Sequence, residues 1–198
     1  MLVRDVENAY FDIINKENIG LAEKFSVNPC YCTNNDFYKD YLHFSAIHDL
    51  NTGNTVTHVF IDEDAQRIMG YISLRSNSII SKNNEGNIVG KPALEISVLA
   101  VDKDYERRGV GTLLMSKAIE IASVLHREYA GIKYLVLTAD AKAVGFYKKM
   151  DFHPIETQWE QIPAESFSSD CIPMCRDLQF ELENLECFAD DEDDDDWN

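Results

Sequence analysis

Residues 105–112, Tyr-Glu-Arg-Arg-Gly-Val-Gly-Thr, place two cations and two glycines directly before an apolar run. The first turn of a helix has about four unpaired backbone N–H groups and roughly half a positive charge, so it attracts anions. Glycine at positions 109 and 111 lets an anion approach these groups, and Arg107 and Arg108 can donate charge-assisted hydrogen bonds to phosphate oxygens. The pattern indicates a phosphate-binding loop; the alternative is a tight strand-to-helix turn without a ligand.

The loop differs from two common phosphate motifs. No third glycine follows at the offset of the dinucleotide-binding fingerprint, and the Lys-Ser/Thr ending of a P-loop is missing. A longer pattern surrounds the loop. LEISVLAVDKDYERRGVGTLLMSKAIEIA (94–122) is followed by AGIKYLVLTADAKAVGFYKKMDFHPI (130–155), which predicts a strand, the glycine loop, a long helix, a strand and a short helix.

This longer pattern resembles the Gcn5-related N-acetyltransferase (GNAT) superfamily, and the resemblance covers about residues 55–185. In that family a Q/R-x-x-G-x-G/A loop joins a strand to a long helix, and a short helix ends in F-Y-x-x-x-G-F. Two positions depart from the pattern: Glu106 stands where Gln or Arg is usual, and Asp151 where Gly is usual. Glu106 adds negative charge near a phosphate, whereas aspartate tolerates a left-handed backbone.

The resemblance implies an α/β (α+β) fold, with a central mixed, mostly antiparallel β-sheet, splayed central strands and helices on both faces. It implies acetyl-CoA as cosubstrate and no metal. The pyrophosphate would lie on the N–H groups of residues 107–112, and the pantetheine arm would pair like an extra strand with the end of VLAV (98–101). The implied coenzyme-binding residues are Leu99, Val101, Arg107, Arg108, Gly109, Val110, Gly111 and Thr112.

The resemblance also implies two catalytic side chains. An alkylammonium with a pKa of about 10.4 needs a base to lose its proton, and Glu95 matches the general-base glutamate of the histone acetyltransferase branch. Tyr147 matches the family tyrosine that protonates the coenzyme thiolate, because a phenol with a pKa of about 10 is still a proton donor at neutral pH. The alternatives are a solvated Glu95 at a strand edge and a Tyr147 packed in the core.

The function implied is direct transfer of an acetyl group from acetyl-CoA to a primary amine of a small molecule or peptide. The formal net charge of −17, from 35 acidic residues against 18 Lys and Arg, suits a cationic acceptor and makes nucleic acid an unlikely partner. Two alternatives stay open. One is a toxin-type GNAT that acetylates aminoacyl-tRNA, which residues 36–60 and 69–80 resemble; the other is a non-catalytic coenzyme A-binding regulatory module, which Glu106 and Asp151 favour.

The N-terminal sequence MLVRDVENAY has no apolar core or cleavage site of a signal peptide, and no apolar run reaches the ~18 residues of a membrane span. The five cysteines are an odd number without an export signal, which predicts reduced thiols and a cytoplasmic protein. Neither CYC nor CIPMC has the spacing of a zinc knuckle. We expect no membrane partner, and we count a homodimer among the candidate assemblies.

Two amphipathic helices are predicted in the N-terminal part, one over residues 1–18 and one from Asp36 with Phe37, Tyr41, Phe44 and Ile47 on one face. From about residue 55 the predicted order is β-β-β-α-β-α-β, with a hairpin at 57–74 and an exposed loop at 81–92. We expect a single domain over residues 1–188, with helices in 1–50 on the acceptor side and a coenzyme-binding core at about 90–156. An acidic disordered tail is predicted at 189–198.

Overall fold

The structure is a computed structural model and describes residues 3, 6–28, 35–83, 85–155 and 171–178. The strands are β1 (Ala9–Ile13), β2 (Val56–Asp62), β3 (Arg67–Lys82), β4 (Ile88–Val101), β5 (Tyr134–Asp140), β6 (His153–Pro154) and β7 (Cys171–Asp177). The α-helices are α1 (Asn35–Asp40), α2 (Ala46–Thr52), α3 (Val110–Val124) and α4 (Val144–Lys148). Short 3₁₀ turns lie at Ile19–Lys24 and Lys103–Tyr105, and π-helical turns at Tyr41–Ser45 and Leu125–Tyr129.

The seven strands form one sheet in the order β1-β2-β3-β4-β5-β7-β6. All neighbouring strands run antiparallel except β4 and β5, which are parallel. The α3 helix provides the crossover that a parallel pair requires. The mixed, mostly antiparallel sheet is therefore confirmed. The predicted β-β-β-α-β-α-β order after residue 55 is confirmed through β6, and β7 is an additional strand that was not predicted.

Helices cover both faces of the sheet, each over its own apolar core. On one face α3 buries one stripe of side chains against β3, β4 and β5, because its apolar residues recur at helical spacing. That stripe consists of Val110, Leu114, Met115, Ala118 and Ala122. The other face is covered by the 3₁₀ turn at Ile19–Lys24, the π-helical turn at Tyr41–Ser45 and α2. These elements bury Ala22, Leu42 and Ala46 with Tyr71 of β3.

The helix predicted over residues 1–18 is wrong for the part that the structure describes. Residues 9–13 form β1, which pairs antiparallel with β2. Phe11 stacks on Phe60 of β2 at 4.4 Å between ring centroids, and Ile14 is fully buried under the second helical layer. Pairing with a strand almost fifty positions away in the chain decided this structure, and a periodicity within residues 1–18 cannot report such a contact.

The predicted second helix exists, but the predicted inward face is only partly correct. Phe37 is 47% exposed and Phe44 is 69% exposed, whereas Leu42 and Ala46 are buried. The cause is the π-helical turn, in which the N–H of Ala46 donates to the carbonyl of Tyr41, five residues earlier. A π turn inserts one extra residue, so the apolar stripe rotates relative to the α-helical pattern assumed from the sequence.

The predicted hairpin of β2 and β3 is confirmed. The ladder between β3 and β4 is longer than the sequence predicts. The segment predicted as an exposed loop at 81–92 contains the end of β3 and the first five residues of β4, which pair as an antiparallel ladder out to Lys82 and Ile88. The polar composition of this segment reflects a solvent-exposed ladder rather than a loop.

In the described part of the chain, no helix is long and apolar enough to cross a membrane. The predicted acidic tail lies outside the described residues.

Candidate active site

A cleft opens at the centre of the sheet, where β4 and β5 diverge. Their parallel ladder ends at the pair Ile96–Leu137, although β4 continues to Val101 and β5 to Asp140. The space between the two strand ends measures about 850 Å³ and is lined by both strands, by the segment before α3, by α4 and by residues 27–28 and 37–38. This size is sufficient for a large cosubstrate.

A β-bulge in β4 accompanies the divergence. Ser73 of β3 pairs with Val98 and Leu74 pairs with Ile96, so Ser97 is an extra residue in the ladder. Its hydroxyl donates to the Ser73 carbonyl at 3.1 Å. Because a bulge reverses the alternation of side chains, Ile96 packs in the core beneath α3 whereas Val98 packs in the opposite core. The bulge bends β4, and the edge of its last residues then lies along the cleft.

The glycine loop, residues 106–112, closes one end of the cleft, and its two glycines have different structural roles. Gly109 is the N-cap of α3 and has φ of +92°, a left-handed conformation that favours glycine. Gly111 lies in the first turn of α3, where an added Cβ would be 3.4 Å from the ring of Phe146 and 3.7 Å from Val101. A Cβ at the second glycine would thus meet α4 at ordinary van der Waals distance, and the sequence did not reveal that α3 and α4 lie this close together.

Seven of the eight residues predicted to bind the coenzyme line this one cleft. The exception is Arg108, whose guanidinium carbon lies 5.6 Å from the centre of the Tyr105 ring, in a cation–π contact. Arg107, in contrast, has φ of +59° and lines the cleft. The residues brought together are Leu99, Val101, Arg107, Gly109, Val110, Gly111 and Thr112.

Charged groups around the cleft are of both signs. Arg107, Lys142 and Lys149 line it and can attract the phosphates of a ligand. Glu106 also lines it, and one of its carboxylate oxygens accepts a hydrogen bond from the Asn28 amide at 3.3 Å. The position at which the family resemblance leads us to expect Gln or Arg thus serves as a contact to the segment at residues 26–28.

Tyr147 of α4 lies on the cleft wall and is 8% exposed. Its ring packs edge-on against Phe146 and Phe152, at centroid distances of 5.2 and 5.9 Å. Burial raises the pKa of the Tyr147 phenol above its ordinary value, with a smaller contribution from Tyr38. The phenol therefore keeps its proton at neutral pH and can act as a donor in the cleft.

Glu95 lies in β4, two residues before the bulge, and is held by two neighbours on β3. Arg75 donates to both of its carboxylate oxygens at 2.7 Å, and the Asn77 amide donates to one of them at 2.7 Å. This ion pair raises the pKa of the Arg75 guanidinium. Glu95 is not among the residues that line the cleft. Its role as general base stays a prediction.

Sequence reasoning missed the residues that line the cleft from the N-terminal part of the chain. Val27, Asn28 and Tyr38 belong to this group. The backbone carbonyl of Tyr38 accepts a hydrogen bond from the buried hydroxyl of Tyr71 at 2.7 Å, which fixes α1 on the sheet. A local pattern carries no sign of such contacts. The clustered lysines of AKAVGFYKKM, in contrast, could have indicated the cations near α4.

In the parts of the chain that the structure describes, no group of three or more His, Cys, Asp or Glu side chains could hold a metal ion. Cys171 and Cys175 both lie on β7 and are not joined in a disulfide. Cys30, Cys32 and Cys187 lie outside the described residues.

Two curated relatives are acetyltransferases by name. An uncharacterized N-acetyltransferase of Methanocaldococcus jannaschii is 31% identical over 97 residues, 49% of this chain and 39% of that protein. The mycothiol acetyltransferase of Saccharomonospora viridis is 28% identical over 102 residues, 50% of this chain and 30% of that protein. The matches thus span well under half the length of these relatives.

Several solved structures share the fold at low sequence identity. A bacterial toxin superimposes with a TM-score of 0.67 at 16% identity, covering 87% of this chain and 92% of the toxin. AtaT complexed with acetyl-methionyl-tRNA has a TM-score of 0.62 at 14% identity, covering 84% and 94%. AtaTR bound with acetyl-CoA has a TM-score of 0.56 at 17% identity, covering 84% and 92%.

The sequence profile of the acetyltransferase (GNAT) family matches residues 22–152. This range begins just before the segment that lines the cleft around Asn28, includes the bulged strand β4 and the glycine loop, and ends beyond Tyr147. It accounts for well over half of the 198 residues. The chain therefore belongs to the GNAT acetyltransferase family.

Proposed function

We propose that the chain is an acetyl-CoA-dependent N-acetyltransferase that transfers the acetyl group directly to a primary amine of a small molecule or peptide. The observation that carries the proposal is the cleft between the diverging ends of β4 and β5, which has the glycine loop at one end and the Tyr147 phenol on its wall. One space thus offers an anion-binding helix start, a strand edge and a proton donor.

The described residues fit acetyl-CoA in two respects. The backbone N–H groups at the start of α3 suit a diphosphate, and Arg107 with the lysines of the α4 region supplies positive charge. The edge of β4 from Ser97 to Val101 suits the amide groups of an extended arm, because the ladder with β5 has already ended there. These contacts would direct the thioester toward the middle of the cleft.

In the reaction the amine nitrogen attacks the thioester carbonyl carbon, a new C–N bond forms and the C–S bond breaks. The departing thiolate takes a proton from Tyr147, because a phenol with an ordinary pKa of about 10 is protonated at neutral pH. The proton that the amine loses passes through water to Glu95, which is not itself among the residues that line the cleft. A backbone N–H near Leu99 can stabilise the charge that develops on the carbonyl oxygen.

Isothermal titration calorimetry of coenzyme A and acetyl-CoA, followed by thiol release from acetyl-CoA with a panel of primary amines, tests this proposal. We expect binding of both coenzymes and turnover of at least one amine, with cationic amines preferred because the chain carries a formal net charge of −17. Binding without turnover of any acceptor would indicate a non-catalytic coenzyme A-binding module. Absence of binding would refute the proposal.

A second candidate is acetylation of aminoacyl-tRNA. AtaT, whose fold this chain shares, was solved with acetyl-methionyl-tRNA, and this weakens the expectation that nucleic acid is not a partner. The strongly acidic composition argues against it, because tRNA binding needs a basic surface. Incubation of the protein with labelled acetyl-CoA and charged tRNA separates the two: label in the aminoacyl-tRNA supports the second candidate, and label only in free amines supports the first.

A further inference from the structure

Asp102 is a fully buried carboxylate directly after β4, at the entrance to the segment that leads to α3. Three groups donate to it at 3.0 Å: the Ser26 backbone N–H to Oδ2, and the Arg67 guanidinium and the Asp104 backbone N–H to Oδ1. A buried charge is tolerated only when it is paired and hydrogen-bonded in this way. Asp102 is not among the residues that line the cleft.

The contacts of Asp102 join three separate parts of the chain that surround the coenzyme end of the cleft. Its own backbone N–H donates to the Met69 carbonyl of β3 at 2.8 Å, and the Lys103 N–H donates to the Ser26 carbonyl at 2.8 Å. Two residues after Ser26, the Asn28 amide donates to Glu106 of the glycine loop. The segment at 26–28 is therefore bonded at both its ends to the chain that forms the coenzyme site.

Arg67 extends the same arrangement beneath the loop. Its second nitrogen lies 2.9 Å from the carboxylate of Asp104, and its guanidinium carbon lies 5.5 Å from the centre of the Tyr105 ring. The Tyr105 hydroxyl donates to the buried carboxylate of Asp62 at 2.9 Å. The 3₁₀ turn at 103–105 is thus fixed on both sides, and Asp102 is the group that links this turn to the cleft wall at 26–28.

We propose that Asp102 is a positioning residue for the coenzyme site. It fixes the position of the start of the glycine loop relative to β4 and to the wall at residues 26–28. The backbone N–H groups of residues 107–112 then point into the cleft. The inference rests on the proposed function, because it assumes that these N–H groups hold the diphosphate of acetyl-CoA. Asp102 acts through the backbone that it fixes and does not touch the coenzyme.

The test compares Asp102→Asn with the wild type. The asparagine side chain has nearly the same size, but its NH₂ group cannot accept the hydrogen bonds made to one of the two oxygens, and it lacks the charge that pairs with Arg67. We expect the Kd of coenzyme A, measured by calorimetry, to rise on the order of tenfold or more, because small displacements of a binding group have large effects. The KM for acetyl-CoA should rise with it, whereas kcat at saturating acetyl-CoA should change less.

Thr57→Val is the matched control for loss of a buried polar contact elsewhere. Thr57 is fully buried, and its hydroxyl bonds to Ser73 at 2.8 Å in the middle of the sheet. We expect a lower melting temperature for this variant with an unchanged Kd for coenzyme A. If Asp102→Asn also melts earlier but binds coenzyme A as tightly as the wild type, Asp102 has only a structural role and the proposal is wrong.

A second variant serves if Asp102→Asn does not fold. Arg67→Gln removes the charged partner from a partly exposed position, where a substitution is better tolerated. We expect a smaller rise in the Kd of coenzyme A in the same direction, and an unchanged Kd would overturn the proposal. Failure of the wild type itself to bind coenzyme A would instead refute the proposed function, so the two failures are distinguishable.

Discussion

Tyr147 combines two properties at the scale of a single residue. Its phenol lies on the cleft wall, and its burial between two phenylalanine rings raises its pKa, so it carries its proton across the neutral range. The sequence placed Tyr147 in a motif but left open a purely structural role. Its position in the same cleft as the glycine loop favours the catalytic role.

Replacement of Tyr147 by phenylalanine should lower kcat on the order of 10²-fold, because the departing thiolate loses its proton donor while packing is conserved. The Kd of acetyl-CoA should stay near that of the wild type. Steady-state thiol release and calorimetry check the two quantities. Tyr129→Phe is the control, since this tyrosine is 75% exposed and is not among the residues that line the cleft. Equal kcat in wild type and Tyr147→Phe would contradict the assignment.

Glu95 is a second test at the scale of one residue, because its carboxylate is already engaged by Arg75 and Asn77. If it takes the proton of the amine, Glu95→Gln should lower the rate about tenfold or more at neutral pH, with partial recovery at higher pH as more free amine is present. Rates of thiol release across the pH range measure this. Glu120→Gln, an exposed position on α3, is the control. A pH profile identical to that of the wild type would remove Glu95 from the mechanism.

At the scale of the element, the bulge at Ser97, the left-handed Gly109 and the start of α3 all line the cleft. The glycine loop could be predicted from the sequence because its signal is local: the chain must turn sharply between a strand and a helix. The rotation of the apolar face at the π-helical turn could not, since it needs one displaced hydrogen bond that no periodicity reports. The contact of Gly111 with Phe146 depends on how two helices pack, and it too has no local signal.

Gly109→Ala tests the loop as an element. A non-glycine residue in the left-handed conformation costs roughly 1–2 kcal/mol, so the loop will either be strained or shift away from its position. We expect the Kd of coenzyme A to rise about tenfold, the equivalent of about 1.4 kcal/mol. Gly131→Ala is the matched control, because an added Cβ there meets open space and its φ is not in the positive range. Equal affinity for both variants would show that the conformation of Gly109 is not needed for binding.

At the scale of the whole molecule, the order of elements after residue 55 follows from patterns that short strands and amphipathic helices impose on their own sequence. The first strand could not be predicted this way, because β1 exists only through its pairing with β2. The two walls of the cleft come from distant parts of the chain, residues 27–28 with 37–38 on one side and residues within 96–149 on the other, and only the folded sheet brings them together. The wall within residues 96–149 has local sequence signals and could therefore be predicted, whereas the wall at residues 27–28 and 37–38 has none and could not.

The pH dependence of global stability is predicted through His58 of β2. Burial, and then the charge of Lys117, lower the pKa of its imidazole below the ordinary value. The folded state therefore binds a proton less readily than the unfolded state, and His58 contributes to stability that is present above the ordinary pKa and lost as the pH falls. Between about pH 7.5 and about pH 5.5 the melting temperature of the wild type should fall more than that of His58→Gln. Parallel thermal melts of both proteins measure the difference, and identical slopes would contradict it.

The short ladder between β4 and β5 has a consequence for cohesion. In the described chain the parallel ladder that joins the half-sheet β1–β4 to the half-sheet β5–β7–β6 has four residue pairs, compared with thirteen pairs in the ladder of β3 and β4. An extended molecule that bonds to the free edge of β4 would add to this narrow connection, so ligand binding would also hold the two half-sheets together. At a hundredfold excess over its Kd such a ligand stabilises the fold by about 2.7 kcal/mol, and amide hydrogen exchange should slow most at residues 97–101.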